Sequence, residues 1–202
     1  MILFDYDGTI ADTFGAYAKE YVKVAHLFGI KKDSKDDFKH LYENNLSDSL
    51  AKLGVEGKKI IELIYKIREP YMKDYGLLKL FRGMKEVVNK LAEKHDVYVI
   101  TSNLTHVIEG SMKHYGIRGI KKVIGGDVEM SKIKKIDRLK KKYKGFEIYY
   151  IGDTIGDVKE SKVAGVKCVA VTWGYHSRKE LENVGADYVV DKPEELLKIL
   201  DN

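Results

Sequence analysis

The 202-residue sequence is poor in the residues that cross-link a chain or bind metals through sulfur. It contains a single cysteine, Cys168, and therefore cannot form an internal disulfide. Cys168 lies in an apolar stretch, which favours a buried structural thiol over a nucleophile. No Cys and His spacing typical of a zinc site occurs in the sequence. Glutamine is also absent while Lys and Glu are abundant, a composition typical of heat-adapted proteins.

The sequence also lacks long apolar runs. None approaches the roughly 18 residues that span a bilayer, and the first residues show no basic start followed by a long apolar segment, as a signal peptide would. The net charge of +5, from 36 Lys+Arg against 31 Asp+Glu, is spread along the chain without interleaved aromatic repeats. We therefore expect a cytoplasmic monomer or homodimer with no membrane or nucleic-acid partner, whose basic surface would attract anionic substrates.

Four short apolar runs each end in polar side chains. The runs are residues 1–4, 97–100, 148–151 and 169–171, and the residues that follow them are Asp5, Thr101, Gly152-Asp153 and Thr172. Continuous apolar runs separated by helical patterns predict parallel strands that are covered on both faces. In such sheets the ligand crevice lies beyond the carboxyl ends of the strands, so we expect these polar residues to converge there.

The spacing between the first two strands is too long for an ordinary crossover. About sixty residues of helical pattern separate them, where one helix would suffice. We predict an α/β protein with a doubly wound parallel core (residues 1–13 and 80–202) and an inserted helical cap (residues 14–79). Within the cap, Ser47 is a candidate helix cap and Pro70 is expected to begin or kink the end of the last helix.

The motif Asp5-Tyr6-Asp7-Gly8-Thr9, together with three later signals, resembles the haloacid dehalogenase-like hydrolases. The later signals are Thr101 after a strand, a downstream lysine, and Gly152-Asp153 with Asp157. The first motif alone would be weak evidence for the family, but the four signals together span nearly the whole chain and follow the order that the family shows. The resemblance implies a Rossmann-like core, a helical cap that closes over the active site, and Mg²⁺-dependent phosphatase chemistry through an aspartyl phosphate.

In this interpretation the carboxylates divide the chemistry between them. Asp5 is the candidate nucleophile, because a carboxylate can form a covalent phosphoenzyme. Asp5, Asp153 and the backbone carbonyl of Asp7 would supply oxygen ligands to Mg²⁺. Asp157 would support the metal site, although it could also be an ordinary acid in the first turn of a helix. Asp7 would be the general acid and base, and since the dehalogenase branch lacks an acid there, it favours phosphate chemistry.

The candidate phosphate-binding groups follow the second strand and precede a later helix. Thr101 would donate its hydroxyl, with the backbone N–H groups near Ser102 and Asn103 beside it, although Thr101 could also cap the next helix. Lys132 is the candidate cation because it adjoins Ser131, the predicted cap at the helix start, whereas Lys134 and Lys135 are expected to point elsewhere. The family often has proline after this lysine and Ile133 stands there instead, which leaves the register open.

The substrate is expected to be a small phosphorylated metabolite. Residues 172–175, Thr-Trp-Gly-Tyr, are similar to the phosphoglycolate phosphatase group. A pyrophosphatase or a phosphomutase on the same scaffold stays open; a phosphomutase would need a cap cation, for which the candidates are Lys39, Arg68 and Lys73. A non-catalytic phosphate-sensing module is the alternative from another class. His176 could touch the substrate, but we expect a surface histidine.

Overall fold

A computed structural model of the chain describes residues 1–31 and 33–201. Its strands are β1 (Ile2–Phe4), β2 (Ala11–Asp12), β3 (Lys79–Leu80), β4 (Val97–Ile100), β5 (Ile120–Ile124), β6 (Tyr149–Gly152), β7 (Lys167–Val171) and β8 (Tyr188–Val190). Six of them form one parallel sheet in the order β5-β4-β1-β6-β7-β8, and β2 pairs with β3 in antiparallel fashion. The prediction of a doubly wound parallel sheet is confirmed.

Ten α-helices connect these strands within the described residues. They are α1 (Phe14–Val24), α2 (Lys35–His40), α3 (Leu46–Lys52), α4 (Lys58–Met72), α5 (Met84–Lys94), α6 (Thr105–Tyr115), α7 (Lys132–Lys142), α8 (Ile155–Ala164), α9 (Arg178–Asn183) and α10 (Glu195–Leu200). Over residues 1–31 and 33–201, none of them combines the length and the apolar character that crossing a bilayer requires.

Strand β1 lies at the centre of the sheet and is buried on both faces. Phe4 packs on one side with Met84 and Val88 of α5, whereas Leu3 packs on the other with Ile136 of α7. Neighbouring side chains of a strand point to opposite faces, so an uninterrupted apolar run suits this position. The chain reaches β4 and β5 on one side of β1 and β6 to β8 on the other. This reversal of direction beside β1 is where ligands bind in open α/β sheets.

The helices α1 to α4 lie between β2 and β3 and share an apolar cluster of their own. Tyr17, Tyr21, Phe38 and Leu63 belong to it, and Tyr175 of the sheet side packs against it. The chain enters this segment after β2 and leaves it at β3, and these two strands pair with each other, Ala11 with Leu80 and Asp12 with Lys79. The division into a core (1–13 and 80–202) and a cap (14–79) stays a prediction.

Two local predictions within this segment differ from the structure. Helix α3 is capped by Asn45, whose side chain accepts the Ser47 N–H at 3.0 Å, so the cap lies two residues before the one predicted. Both residue types favour an N-cap, and the earlier cap places the buried Leu46 in the first turn of the helix. Pro70 does not begin a helix, because it lies inside α4 near its end at Met72, where proline removes only one late hydrogen bond. That Pro70 kinks the end of this helix stays a prediction.

Truncation of the central strand should destabilise the whole protein. Leu3→Ala removes a fully buried side chain, and we expect a loss of about 2–5 kcal/mol in the free energy of unfolding. Leu27→Ala is the matched control, because Leu27 is 62% exposed and its truncation should change stability by less than about 0.5 kcal/mol. Urea denaturation of both variants measures the difference, and equal losses would contradict a tightly packed β1.

Candidate active site

The loop after β1 makes a tight turn that depends on glycine. The backbone N–H of Gly8 donates to the carbonyl of Ala11 at 2.8 Å, and Gly8 has a φ of +79°, in the left-handed region. A Cβ atom at this position would collide with the side chains of Asp153 and Tyr175. The turn therefore lets the backbone approach the end of β6 closely, and it presents Asp5 and Asp7 at the carboxyl edge of the sheet.

Asp5 and Lys132 form a buried ion pair at this edge. The Asp5 side chain accepts the Tyr6 backbone N–H at 2.7 Å through Oδ1 and the Lys132 ammonium at 2.7 Å through Oδ2. Lys132 is the first residue of α7, whose cap Ser131 accepts the N–H of Lys134. The structure thus brings Lys132 to the predicted nucleophile, although the catalytic roles themselves stay predictions.

Asp157 is the second carboxylate that contacts Lys132. Its Oδ1 accepts the Lys132 ammonium at 2.6 Å and the hydroxyl of Tyr150 at 2.9 Å. Its Oδ2 accepts the backbone N–H and the hydroxyl of Thr154, which in turn accepts the N–H of Asp157 in a capping box at the start of α8. Asp157 is therefore both the first-turn acid of a helix and the group that orients the lysine.

Asp153 is held by groups from two other loops. Thr9 donates its hydroxyl to Oδ1 at 2.8 Å, and the backbone N–H of Tyr175 donates to Oδ2 at 2.8 Å. A Cβ atom at Gly174 would meet the Asp153 side chain, so only glycine leaves room for this approach. Asp153 is completely buried, yet both of its hydrogen-bond donors are neutral.

The charge of this cluster fits a divalent cation. One oxygen from each of Asp5, Asp153 and Asp157 lies within 4.8 Å of the others. Burial, and then the neighbouring Asp157 and Asp5, raise the pKa of Asp153 well above its usual value. Burial raises the pKa of Asp5 to about 7, although Lys132 opposes the shift. Carboxylates this close together repel one another and tend to take up protons when no cation lies between them. Carboxylate oxygens are also ligands that Mg²⁺ prefers.

The pKa shifts of Asp157 and Lys132 run the other way and identify them as a charged pair. Burial alone would raise the pKa of Asp157, but Lys132 and the hydrogen bonds from Thr154 and Tyr150 outweigh it, so the pKa is lowered. Burial lowers the pKa of Lys132, yet Asp157 and Asp5 raise it well above its usual value. The ammonium therefore stays charged beside the nucleophile position.

Asp7 lies in a different environment from Asp5. Its Oδ2 accepts the side-chain amide of Asn103 at 2.9 Å and lies 3.8 Å from a guanidinium nitrogen of Arg68. Burial raises the pKa of Asp7, and Arg68 and Asn103 offset only part of the shift. Burial thus raises the pKa of both Asp5 and Asp7, and the two carboxyl groups differ in their partners: Lys132 beside Asp5, and Asn103 and Arg68 beside Asp7.

The predicted phosphate-binding residues follow β4. The hydroxyl of Thr101 accepts the backbone N–H of Asn103 at 3.0 Å, a contact that does not use its own O–H donor. The Asn103 amide contacts Asp7 and the hydroxyl of Tyr17, so this side chain positions the acid. Ser102 is partly exposed between them. Thr101 and Asn103 are thus brought to the site, but the backbone N–H of Asn103 is engaged with Thr101.

Lys135 is a buried residue of the site that the sequence reasoning missed. The expectation that it points away is wrong, because its ammonium donates to the carbonyl of Thr101 at 2.7 Å and is completely buried. Burial, and then Lys132, lower the pKa of Lys135 to about 7. The three-residue spacing from Lys132 places both lysines on one face of α7 and was the available signal.

Among the three candidate cap cations, only Arg68 reaches the site. It projects from α4 and is 1% exposed, with its guanidinium 4.7 Å from the ring centroid of Tyr17. Lys39 instead pairs with Glu180 at 3.0 Å, and Lys73 is exposed.

The expectation of a surface histidine at position 176 is wrong. His176 is 1% exposed, and its backbone N–H donates to the Asp153 carbonyl at 3.3 Å. The segment from α2 to α3 covers this loop, and burial lowers the pKa of the imidazole to about 4. A sequence pattern alone does not show that a distant helical segment lies over a loop.

Two known proteins match the chain over nearly its whole length. The chain is 24% identical over 201 residues to the phosphoglycolate phosphatase of Synechococcus elongatus, covering 98% of this chain and 95% of the relative. It is also 24% identical over 210 residues to the pyrophosphatase PpaX of Bacillus anthracis, covering 100% and 96%.

A solved structure shares the fold. It is a hydrolase of the haloacid dehalogenase-like family from Streptococcus pneumoniae, which matches with a TM-score of 0.77 at 22% identity over 98% of this chain and 96% of that chain. The profile of the family described as haloacid dehalogenase-like hydrolase matches residues 2–171, from the first residue of β1 to the last of β7. Since that match includes every strand end that meets at the carboxylate cluster, the chain belongs to the haloacid dehalogenase-like hydrolases.

Proposed function

We propose that the protein is a Mg²⁺-dependent phosphatase that hydrolyses a small phosphate monoester through an aspartyl phosphate on Asp5. The observation that carries the proposal is the buried pair of Asp5 and Lys132, with Asp7 two residues away in a separate environment. Relatives named as a phosphoglycolate phosphatase and a pyrophosphatase, each 24% identical, support phosphate chemistry. An enzyme is favoured over a phosphate-sensing module because sensing would not require the second acid, Asp7.

The first displacement uses Asp5, Lys132 and Thr101. The Asp5 carboxylate attacks phosphorus, and the bond from phosphorus to the ester oxygen breaks as the aspartyl phosphate forms. Lys132 carries a positive charge beside this position and stabilises the charge that develops on the phosphoryl oxygens. Thr101, held by Asn103 and by the contact of Lys135 with its carbonyl, would donate its hydroxyl to one of those oxygens.

Asp7 would move the protons in both half-reactions. In its protonated form it donates to the departing ester oxygen, and as a carboxylate it then accepts a proton from the water that attacks the aspartyl phosphate. Burial raises the pKa of Asp7 and so favours the protonated form that the first step needs. Asn103 would orient the carboxyl group through its hydrogen bond to Oδ2, and the guanidinium of Arg68 lies 3.8 Å from the same oxygen.

Asp5, Asp153 and the backbone carbonyl of Asp7 would hold the cation, and Asp157 would support the site through Lys132. A bound Mg²⁺ would neutralise the repulsion between these carboxylates and the incoming phosphate.

We also propose that residues 14–79 form a helical cap that closes over the crevice. The protein would be a monomer or homodimer in the cytoplasm, where the buried thiol of Cys168 would stay reduced.

Asp5→Asn should abolish turnover and leave the fold intact. The amide keeps the shape of the side chain but cannot attack phosphorus, so kcat should fall by about 10³-fold or more. Lys132 keeps Asp157 as a partner, so the melting temperature should change little. Hydrolysis of p-nitrophenyl phosphate measures the effect, and Asp36→Asn, an exposed acid, is the control. Parent activity in Asp5→Asn would contradict the assignment of the nucleophile.

Removal of the cation should stop hydrolysis and lower stability. After dialysis against a chelator we expect no turnover, and Mg²⁺ should restore it. The melting temperature should also rise with Mg²⁺ concentration, since a ligand that binds only the folded state adds about 2.7 kcal/mol at a hundredfold excess over Kd. Asp153→Asn should lose this thermal shift and Asp36→Asn should keep it. Full activity in chelator would refute the metal site.

Asp7→Asn should slow the second half-reaction more than the first. The change removes proton transfer, which commonly contributes a factor of about 10² to 10⁴, but retains the backbone carbonyl. With p-nitrophenyl phosphate the leaving group needs little protonation, so we expect a burst of p-nitrophenol followed by slow turnover. Mass analysis of the acid-quenched variant should show phosphorylated Asp5. Turnover of alkyl phosphates at the parent rate would show that Asp7 is not the proton carrier.

A further inference from the structure

Lys135 is a buried lysine whose ammonium has no carboxylate partner among the described residues. It lies on α7 and is completely buried, and its ammonium donates to the carbonyl of Thr101 at 2.7 Å. The neighbouring Lys132, in contrast, contacts two carboxylates. A buried charge without a counter-charge is costly, and an apolar side chain of similar length would fill the same space without that cost. Packing alone therefore does not explain a lysine at this position.

The contact of Lys135 fixes the orientation of the peptide between Thr101 and Ser102. This peptide is trans, so the carbonyl of Thr101 and the N–H of Ser102 point in opposite directions from one rigid plane. Because the carbonyl is directed at Lys135, the N–H of Ser102 points away from that side chain. Removing the ammonium would free the peptide plane to rotate.

Ser102 carries the free backbone donor of the loop that follows β4. The N–H of Thr101 donates to the carbonyl of Ile124 at 3.2 Å, and the N–H of Asn103 donates to the hydroxyl of Thr101 at 3.0 Å. Within residues 1–31 and 33–201 the N–H of Ser102 has no acceptor. Since backbone donors away from water are nearly always paired, a free one beside the candidate active site indicates a ligand.

The charge of Lys135 strengthens that donor. A hydrogen bond from a charged group to a carbonyl polarises the whole amide, so the N–H at its other end donates more strongly. Burial, and then Lys132, lower the pKa of Lys135 to about 7. Asp5 of the β1 loop, Glu160 of α8 and Glu129 of the loop before α7 oppose this shift. A phosphate dianion in the site would oppose it too, so substrate binding favours the ammonium form.

We propose that Lys135 is a positioning residue for phosphoryl transfer, which orients and polarises the peptide between Thr101 and Ser102 so that the N–H of Ser102 donates to a phosphoryl oxygen. This inference rests on the proposed phosphatase function. The Thr101 hydroxyl and the Ser102 N–H then form a pair of adjacent donors. Donors that are oriented in advance stabilise the charge on phosphoryl oxygens in the transition state. Lys135 thus acts through the peptide, whereas Lys132 acts beside the nucleophile.

Lys135→Met tests this role in turnover. Methionine keeps most of the apolar length and removes both the donor and the charge. We expect kcat/KM for p-nitrophenyl phosphate to fall by about 10- to 100-fold near pH 6, as for the loss of a charge-assisted hydrogen bond. Lys141→Met, which changes an exposed lysine of the same helix, is the matched control and should match the parent. Parent activity in Lys135→Met would overturn the inference.

The pH dependence separates this role from a merely structural one. The ammonium of Lys135 loses its proton as the pH rises through about 7, and a neutral amine polarises the peptide less. The ratio of kcat/KM between the parent and Lys135→Met should therefore be largest near pH 6 and shrink by about 3-fold or more toward pH 9. Ionisations that both enzymes share cancel in this ratio. A ratio that is the same at every pH would show that Lys135 only supports the fold.

A second variant keeps the inference testable if Lys135→Met does not fold. Lys135→Gln retains a neutral N–H donor for the Thr101 carbonyl. Because charge-assisted hydrogen bonds are about twice as strong as neutral ones, kcat/KM near pH 6 should fall by about 3- to 10-fold, less than in Lys135→Met. Parent activity in Lys135→Gln at this pH would contradict a contribution of the charge and overturn the inference.

A measurement on the bound state separates failure of the inference from failure of the proposed function. Inorganic phosphate with Mg²⁺ is the probe, and the amide resonance of Ser102 is followed by NMR. In the parent this resonance should move downfield because the N–H becomes hydrogen-bonded, and in Lys135→Met the movement should be smaller by about half or more. A Ser102 resonance that stays in place while phosphate shifts other resonances of the site would overturn the inference and leave the phosphatase proposal standing. Failure of every ester to react in the presence of Mg²⁺ would refute the phosphatase proposal, and the Ser102 resonance would still decide whether its N–H binds phosphate.

Discussion

The structure depends on the way Lys132 compensates the charge of two buried carboxylates. Its ammonium lies 2.7 Å from Asp5 and 2.6 Å from Asp157, with almost no access to water. Leaving any member of such a group unpaired in the interior costs several kcal/mol, so the three elements that carry them have little freedom to shift. The start of α7 must lie against the end of β1, and the first turn of α8 must face both. The helix caps Ser131 and Thr154 secure the two helix starts that this arrangement requires.

The parts of the site that lie at strand ends could be predicted from sequence because one physical rule places them. An apolar run that stops at a polar residue fixes both the strand and the edge at which the residue appears, and this holds for Asp5, Thr101 and Asp153. Lys132 could be chosen among its neighbours because the helix cap Ser131 fixes where the helix starts. These residues need only local information and the order of the strands.

The remaining residues depend on packing between segments far apart in the chain. Arg68 reaches the site only because α4 turns one particular face toward α1 and the sheet, and hydrophobic spacing alone does not distinguish a buried arginine from an exposed one. The contact of Lys135 with Thr101 and the burial of His176 similarly require the docked positions of α7 and of the segment from α2 to α3. Asn103 followed the predicted strand, but its side chain serves Asp7, which no spacing rule indicates.

The short β2–β3 ladder links the position of the helical segment to the loop that carries Asp7. Ala11 pairs with Leu80 in that ladder and also accepts the N–H of Gly8, the residue after Asp7. If the helices moved away from the sheet, the displacement would be transmitted through this ladder to the Gly8 turn. Arg68 would also move away from the carboxyl group of Asp7. The position of the helical segment and the conformation of the loop that carries Asp7 are therefore mechanically coupled through Ala11.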